Sequence, residues 1–300
     1  MLSAEQRQCW HDEGCLVLPG FKPAHEVAAL RERALALVDA FEPKAHGPNG
    51  PNGPEPNEPP AVFSTRDRAR LADAALIASA TEVHCFFEEE AVDGDGRLLV
   101  DRRRAINKIG HALHDRDPVF ERFSRDARLD GLVRELGVAA PQLWQSMLIF
   151  KQPRIGGEVT WHQDASFLAT EPESVLGLWF ALEEATVDNG CLWIEPGGHR
   201  GPLRERFVRD EQVNECESGV RLRMQPLDAT PWPGAERARP LPVPAGTLVV
   251  LHGLLPHYSA PNRSAVSRMA YTLHVTDGRA RYSPHNWLQR GPAMPVRGFE

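Results

Sequence analysis

The sequence predicts a mainly β fold with flanking α-helices, of the sandwich, jelly-roll or barrel kind. Two observations predict it. From Pro141 onward, short runs rich in Val, Leu, Ile, Trp and Tyr follow one another and are bounded by Gly, Pro and Asn. Most of these runs have no helix-length apolar pattern between them, which disfavours β-α-β units. The 300 residues suffice for one large domain, and no repeat or composition shift divides them, so we expect a single domain over 1–300.

Helices are predicted in the first half of the chain, where apolar residues recur at helical spacing. Their expected ranges are 3–12, 24–41, 66–88 and 117–137. A strand is expected at 15–21. Residues 42–60 consist mainly of Pro, Gly and Asn, which deny the backbone regular hydrogen bonds and offer little to bury. We therefore expect a mobile loop over 42–60.

The second half of the chain carries the predicted strands. They lie at 143–152, 157–164, 176–185, 190–196, 246–255 and 268–276. Between the fourth and fifth of these strands, residues 200–244 are polar and rich in Arg and Glu. We expect this range to be an insertion that lies over one mouth of the barrel.

Composition and charge argue against several classes of partner. The formal net charge of -7 and the lack of an interleaved basic and aromatic stretch make nucleic acid an unexpected partner. The first residues lack the apolar core of a signal peptide, and no later run is long enough for a membrane span, so we expect no membrane association and a cytoplasmic location. The five cysteines are scattered without a C-x-x-C pair, which is typical of reduced thiols.

The stretch TWHQDASF, residues 160–167, places two possible metal ligands two positions apart. In an extended strand His162 and Asp164 would point to one face, and Trp161 and Gln163 to the other. A histidine with an acid two residues later is weak evidence alone, because chance produces such pairs at this composition. The position of this pair in a predicted strand makes it a candidate binding site.

A second histidine and an arginine follow near the end of the predicted strands. His257 leaves an apolar strand and Arg268 begins the next one, eleven residues later. Two imidazoles and one carboxylate on one face of a metal form the arrangement of non-haem Fe(II) oxygenases. Arg268 is suited to bind the far carboxylate of a 2-oxo acid that chelates the metal. His252 ends the same strand as His257, and the residues alone leave it as an alternative ligand.

Several stretches of the chain resemble the phytanoyl-CoA dioxygenase family of Fe(II)/2-oxoglutarate oxygenases. They are DEGCLVLPGF (12–21), INKIGHALHDRDPVF (106–120), QSMLIFKQPRIGGEVTWHQDASFL (145–168), LGLWFALEEATVDNGCLWIEPGGH (176–199), LHGLLPHYSAPNRS (251–264), SRMAYTLHV (267–275) and SPHNWLQ (283–289). The order of H-x-D, distal His and Arg, with Asp-Asn-Gly and Pro-Gly-Gly-His between them, is specific to this family. The resemblance covers most of the chain.

The resemblance implies a double-stranded β-helix, which is a cupin-like jelly roll flanked by helices, with iron near one mouth. It implies that the metal ligands are His162, Asp164 and His257, which selects His257 over His252. It further implies a 2-oxoglutarate site formed by Arg268, Ser259, Ser267, Lys108, Met147, Gln163 and Trp179. Five other histidines are interpreted as structural, namely His111, His114, His199, His252 and His274.

The function implied by the resemblance is that of an Fe(II)- and 2-oxoglutarate-dependent dioxygenase that hydroxylates a small molecule with O2 and forms succinate and CO2. Asp164 favours hydroxylation over halogenation, since halogenating relatives have a small residue at this position. One alternative is a non-catalytic or regulatory jelly roll that binds a metal and an oxo acid. Another is a cupin-like isomerase or hydrolase, which would not require Arg268. The prime substrate and the oligomeric state are not predicted.

Overall fold

A computed structural model describes residues 1–41, 61–63, 73–93, 97–210 and 220–300. The predicted loop at 42–60 therefore lies outside the described residues. No helix among the described residues has both the length and the apolar character that a membrane crossing requires. The prediction of a single domain over 1–300 stays a prediction.

The α-helices of the described residues all come before residue 136 in the chain. They are α1 (Ala4–Glu13), α2 (Ala24–Ala40), α3 (Asp73–Ala78), α4 (Arg102–Ala105), α5 (Leu113–Arg116), α6 (Pro118–Ser124) and α7 (Ala127–Glu135). The first helix begins at a capping box, in which Ser3 and Gln6 bond to each other's backbone N–H, and ends at Gly14 with φ 73°. α2 buries one apolar stripe, formed by Val27, Leu30, Ala34 and Val38.

The larger sheet has eight strands in the order β1-β13-β8-β15-β5-β4-β3-β2. These strands are β1 (Cys15–Leu18), β2 (Val62–Phe63), β3 (Val83–Glu88), β4 (Ile106–His111), β5 (Pro141–Lys151), β8 (Leu176–Ala181), β13 (Leu248–His252) and β15 (Arg268–Asp277). All neighbours in this sheet are antiparallel except β2 and β3. β15 lies at the centre of the sheet and every one of its residues is buried.

The smaller sheet has four strands in the order β12-β9-β14-β6. These strands are β6 (Val159–His162), β9 (Leu192–Ile194), β12 (Arg239–Leu241) and β14 (His257–Ser259). Two short two-stranded sheets complete the described part of the chain: β7 (Thr170–Glu171) with β16 (Arg281–Tyr282), and β10 (Glu205–Asp210) with β11 (Arg221–Pro226).

The chain crosses between the two main sheets in the manner of a jelly roll. Strands β5, β8, β13 and β15 lie in the larger sheet, and β6, β9, β12 and β14, which come between them along the chain, lie in the smaller one. The predicted jelly roll is confirmed. An apolar core between the sheets includes Trp179, Val249, Leu251 and Ala270 from the larger sheet and Ile194 from the smaller one.

The structure corrects two sequence predictions in the first half of the chain. The predicted helix at 66–88 is wrong for its last part, because Val83–Glu88 is strand β3. The strand β4 (Ile106–His111) was not predicted at all. All six residues of β4 are buried, so its sequence has no alternation of polar and apolar residues from which a strand is recognised.

The range 200–244 is only partly an insertion. The hairpin of β10 and β11 stands outside both main sheets, but Arg239–Leu241 forms β12 and pairs with β9 in the smaller sheet. The proline at position 240 and the short length of β12 hide this strand in the sequence, since Pro is confined to the edges of sheets. β12 is an edge strand.

Candidate active site

Two histidines face each other at the ends of neighbouring strands. His162 is the last residue of β6 and His257 the first of β14, and the two are direct partners in the antiparallel register. Their ring centroids are 4.1 Å apart. Directly opposed residues of an antiparallel pair point to the same side of the sheet. The register alone therefore brings both imidazoles to one face.

Backbone carbonyls hold both rings in the orientation that a metal site requires. Nδ1 of His162 lies 2.8 Å from the carbonyl oxygen of Thr160, and Nδ1 of His257 lies 3.0 Å from that of Leu255. Each Nδ1 therefore carries the proton and donates it to a carbonyl, and Nε2 keeps its lone pair. The two Nε2 atoms lie 3.9 Å and 3.6 Å from Oδ1 of Asp164. Such second hydrogen bonds fix the tautomer of metal-binding histidines.

Asp164 does not continue the strand that contains His162. β6 ends at His162, and Asp164–Ser166 form a single 3-10 turn. The expectation that one extended strand presents both side chains on the same face is therefore wrong, although both reach the same cluster. The backbone N–H of Ala165 donates to the carbonyl of Gly253, and this bond ties the turn to the end of β13. The turn, not strand alternation, aims the carboxylate at the two histidines.

The electrostatics of the cluster favour the protonation states that bind metals. Burial, together with the nearby His257, lowers the pKa of His162 to about 3. Burial alone would raise the pKa of Asp164, but the imidazoles of His274 and His257 outweigh burial and lower it below the usual range. The cluster thus presents a neutral imidazole and an ionised carboxylate at pH 7. In the described part of the chain, only His162, Asp164 and His257 form a cluster of three or more possible metal ligands.

Arg268 enters the same cavity at the first residue of β15. It is 1% exposed, and burial lowers its pKa to about 10. Nε donates to the carbonyl of Gly190 at 3.0 Å and one terminal nitrogen donates to Oγ of Ser259 at 2.9 Å. The other terminal nitrogen, Nη1, is buried and has no hydrogen-bond partner within the described residues. A buried guanidinium with an orphan donor is costly unless an anion binds it, so this site fits a ligand carboxylate.

The cavity brings together most of the predicted site residues. Met147, Trp179, Ser259 and Arg268 line it along with the three possible metal ligands. Trp179 lies on β8, and the guanidinium of Arg268 stands 5.7 Å from its ring centroid. Further lining residues that were not predicted are Ile149, Val159, Gly177, Leu178, Leu192, Leu251, Tyr258, Thr272 and His274.

Three predicted pocket residues lie outside this lining. The Gln163 amide donates to the carbonyls of Pro202 and Leu254, and its oxygen accepts the N–H of Arg204. Ser267 donates to Glu183 on a different surface. These bonds hold the side chains of Gln163 and Ser267 away from the cavity that their neighbours Asp164 and Arg268 line.

Lys108 is buried in β4, directly opposite Ile149 of β5. This register places Lys108 on the same sheet face as the cavity, one strand further out than the lining residues. Burial lowers the pKa of its amine to about 7.

His274 is the main site residue that the sequence interpretation missed. The sequence alone indicates a structural histidine, whereas in the structure its Nε2 lies 3.1 Å from Oδ1 of Asp164. The sequence does contain a signal for His274. Its position differs by an even number from the positions of Arg268 and Thr272 on the same strand, so all three side chains point to one face of the sheet. Once Arg268 is assigned to the cavity, this period-2 pattern carries His274 there too.

A jelly roll defines an Fe(II)/2-oxoglutarate oxygenase when one cavity contains both a His-Asp-His cluster and a buried arginine, here with a donor unbonded among the described residues. The chain belongs to the phytanoyl-CoA dioxygenase (PhyH) family, whose profile matches residues 10–270. It is 42% identical over 297 residues to phytanoyl-CoA dioxygenase 1 of Oryza sativa subsp. japonica, covering 98% of this chain and 97% of that protein. It is 39% identical to phytanoyl-CoA dioxygenase domain-containing protein 1 of Bos taurus, covering 98% of this chain and 97% of that protein.

Solved structures share the fold of this chain. The carbocyclase SnoK from nogalamycin biosynthesis superposes with a TM-score of 0.61 and 17% sequence identity. This match covers 98% of this chain and 96% of the SnoK chain. EctD from S. alaskensis with 2-oxoglutarate and 5-hydroxyectoine superposes with a TM-score of 0.59 and 20% sequence identity. This match covers 97% of this chain and 84% of the EctD chain. The chain is a 2-oxoglutarate-dependent dioxygenase, and its cofactor and co-substrate are iron and 2-oxoglutarate.

Proposed function

We propose that this dioxygenase hydroxylates a small-molecule substrate and forms succinate and CO2 from 2-oxoglutarate. In this proposal His162, Asp164 and His257 hold Fe(II), and Arg268 with Ser259 holds the distal carboxylate of 2-oxoglutarate. Iron bound at the cluster would supply the activation of O2 and the oxidative decarboxylation of the 2-oxo acid. The protein residues fix the geometry, bind the co-substrate and exclude water from the cavity.

The observation that carries the proposal is the orphan Nη1 donor of Arg268 in the cavity of the metal cluster. His257 and Ser259 are two residues apart on β14, so they point to the same side at a separation of roughly 7 Å. That spacing suits a five-carbon dicarboxylic acid with one end at the metal ligand His257 and the other at the Ser259–Arg268 pair. A cupin-like isomerase or hydrolase would not explain a buried guanidinium at this place.

Met147 and Trp179 would form walls of the co-substrate pocket in this proposal, while Thr272 and His274 lie on the same sheet face. The cytoplasmic location and the absence of nucleic-acid and membrane partners remain predictions from the sequence. The presence of Asp164 favours hydroxylation or a related oxidation over halogenation, because halogenating relatives have a small residue at this position.

The test is iron-dependent succinate formation from 2-oxoglutarate, measured with a panel of small molecules and with extracts as substrate sources. We expect turnover in the wild type and its loss in His162→Ala and Asp164→Ala, each checked for folding by circular dichroism. Turnover that survives either substitution would refute the ligand assignment. Iron-loaded wild-type protein that binds 2-oxoglutarate but oxidises nothing in any extract would instead support the non-catalytic alternative.

A further inference from the structure

Asp164 is constrained by a pair of residues on two neighbouring strands of the larger sheet. His274 of β15 and Gly177 of β8 are direct partners in the antiparallel register. One oxygen of the carboxylate, Oδ1, lies 3.1 Å from Nε2 of His274. The other oxygen, Oδ2, is so close to Gly177 that a Cβ atom there would lie 2.2 Å from it. His274 and the side-chain-free Gly177 thus leave a narrow space between the strand and the imidazole, and the carboxylate of Asp164 fills it.

Gln145 determines which nitrogen of His274 carries the proton. Gln145 lies opposite His274 on the other neighbouring strand, β5, and its Nε2 is 3.0 Å from Nδ1 of His274. The amide N–H donates to Nδ1, so Nδ1 is the acceptor and Nε2 bears the hydrogen. The opposite tautomer would direct a lone pair of Nε2 at a carboxylate oxygen 3.1 Å away, which is repulsive. Gln145, His274 and Asp164 are all at most 5% exposed, so water does not replace these bonds.

We propose that His274, oriented by Gln145, is a positioning residue that presents Asp164 to the metal through Oδ1 alone. Oδ1 faces Nε2 of both His162 and His257, and it has two lone pairs. The bond from His274 occupies one of them and leaves the other for the metal. Since Gly177 confines Oδ2, the carboxylate would hold a metal through Oδ1. This inference rests on the proposed function only in that the triad is the metal site.

The experiment measures metal affinity rather than turnover. Co(II), whose visible spectrum reports its coordination, is titrated anaerobically into the purified protein and into four variants. His274→Leu removes the donor at similar volume, while His274→Gln retains an N–H within reach. Gln145→Leu removes the bond that sets the tautomer. His114→Gln is the matched control, because His114 is a buried histidine bonded to Ser146 outside the cavity.

We expect His274→Leu to weaken Co(II) binding by about 10- to 100-fold, the range for partners that orient metal ligands. His274→Gln should restore most of the affinity, Gln145→Leu should lose an intermediate amount, and His114→Gln should bind as the wild type does. The Co(II) spectrum of His274→Leu should also change shape. A purely structural role for His274 would lower the melting temperature without a spectral change or a rescue by glutamine.

Two results would overturn the inference: His274→Leu that is folded and binds Co(II) within about twofold of the wild type, or His274→Gln that binds as weakly as His274→Leu. Should His274→Leu not fold, Gln145→Leu decides, and wild-type affinity in it counts against the inference. Failure of the proposed function is distinct, because then the wild type itself binds no metal at the triad or no 2-oxoglutarate. A wild type that turns over while His274→Leu binds metal normally refutes the positioning role alone.

Discussion

Gly177→Ala is predicted to damage the metal site without damaging the fold. The new Cβ would lie 2.2 Å from Oδ2 of Asp164, 3.4 Å from its Cγ and 3.5 Å from Cβ of Leu251. Only the first distance is impossible, and an ordinary contact requires Oδ2 to retreat by about 1 Å. The carboxylate is the end of a rotatable side chain, so it moves in preference to the strand. A misplacement of about 1 Å is expected to cost on the order of 100-fold in turnover.

The assay compares succinate formation and Fe(II) affinity in Gly177→Ala with those in Gly131→Ala. Gly131 lies in α7, where an added Cβ meets nothing within 4 Å, so this control carries the same chemical change away from the site. We expect Gly131→Ala to melt at or above the wild-type temperature, because alanine restricts the unfolded chain and favours the helix, and Gly177→Ala to melt close to the wild type. Gly177→Ala with wild-type iron affinity and turnover would refute the close approach of Asp164 to β8 on which the site description depends.

Three further predictions concern buried charges. Arg268→Met should raise the KM for 2-oxoglutarate at least about 100-fold, because charge-assisted bonds to the co-substrate are lost. The melting temperature of the ligand-free protein should stay unchanged or rise, since a buried charge is removed. A KM within tenfold of the wild-type value would contradict this prediction. Lys151→Met should lower the melting temperature strongly, because Lys151 donates to the carbonyls of Gly157, Ser259 and Ala260, and a stable variant would count against that role. Burial raises the pKa of Glu88 to about 7, so the folded state holds this proton more tightly than the unfolded state. The contribution of this proton to the free energy of unfolding is fully present below pH 4.5 and is lost as the pH rises through 7, by at most about 3 kcal/mol. Glu88→Gln should abolish this loss in urea titrations.

The meeting of side chains from distant parts of the chain in one cavity was predictable because the sequence contains a specific order of residue types. His162, Asp164, His257 and Arg268 gather in one cavity as the resemblance implied. The strands that carry most of them were also predictable from their apolar runs. What failed was the local geometry: the sequence suggests one strand through residue 164, whereas hydrogen bonding of Ala165 to Gly253 replaces the strand with a turn.

The supporting residues of the site were harder to predict because their role depends on pairing across strands. Gly177 reads as an unremarkable glycine until the register places it opposite His274. His274 lies in a fully buried strand and Gln145 in a mostly buried one, where polar residues break no visible pattern. Register between β5, β8 and β15 is set by packing across the whole sheet, which a single sequence does not encode in any short stretch.

The most direct test of the central claim is anaerobic visible absorption of the protein with Fe(II) and 2-oxoglutarate. The claim is that one cavity holds iron on the His162, Asp164 and His257 triad and a 2-oxo acid on Arg268. It predicts a weak charge-transfer band that requires both additions, is absent in His257→Ala and needs far more 2-oxoglutarate in Arg268→Met. Folded wild-type protein that binds Fe(II) and shows no band at saturating 2-oxoglutarate, or a band that neither substitution changes, would contradict it.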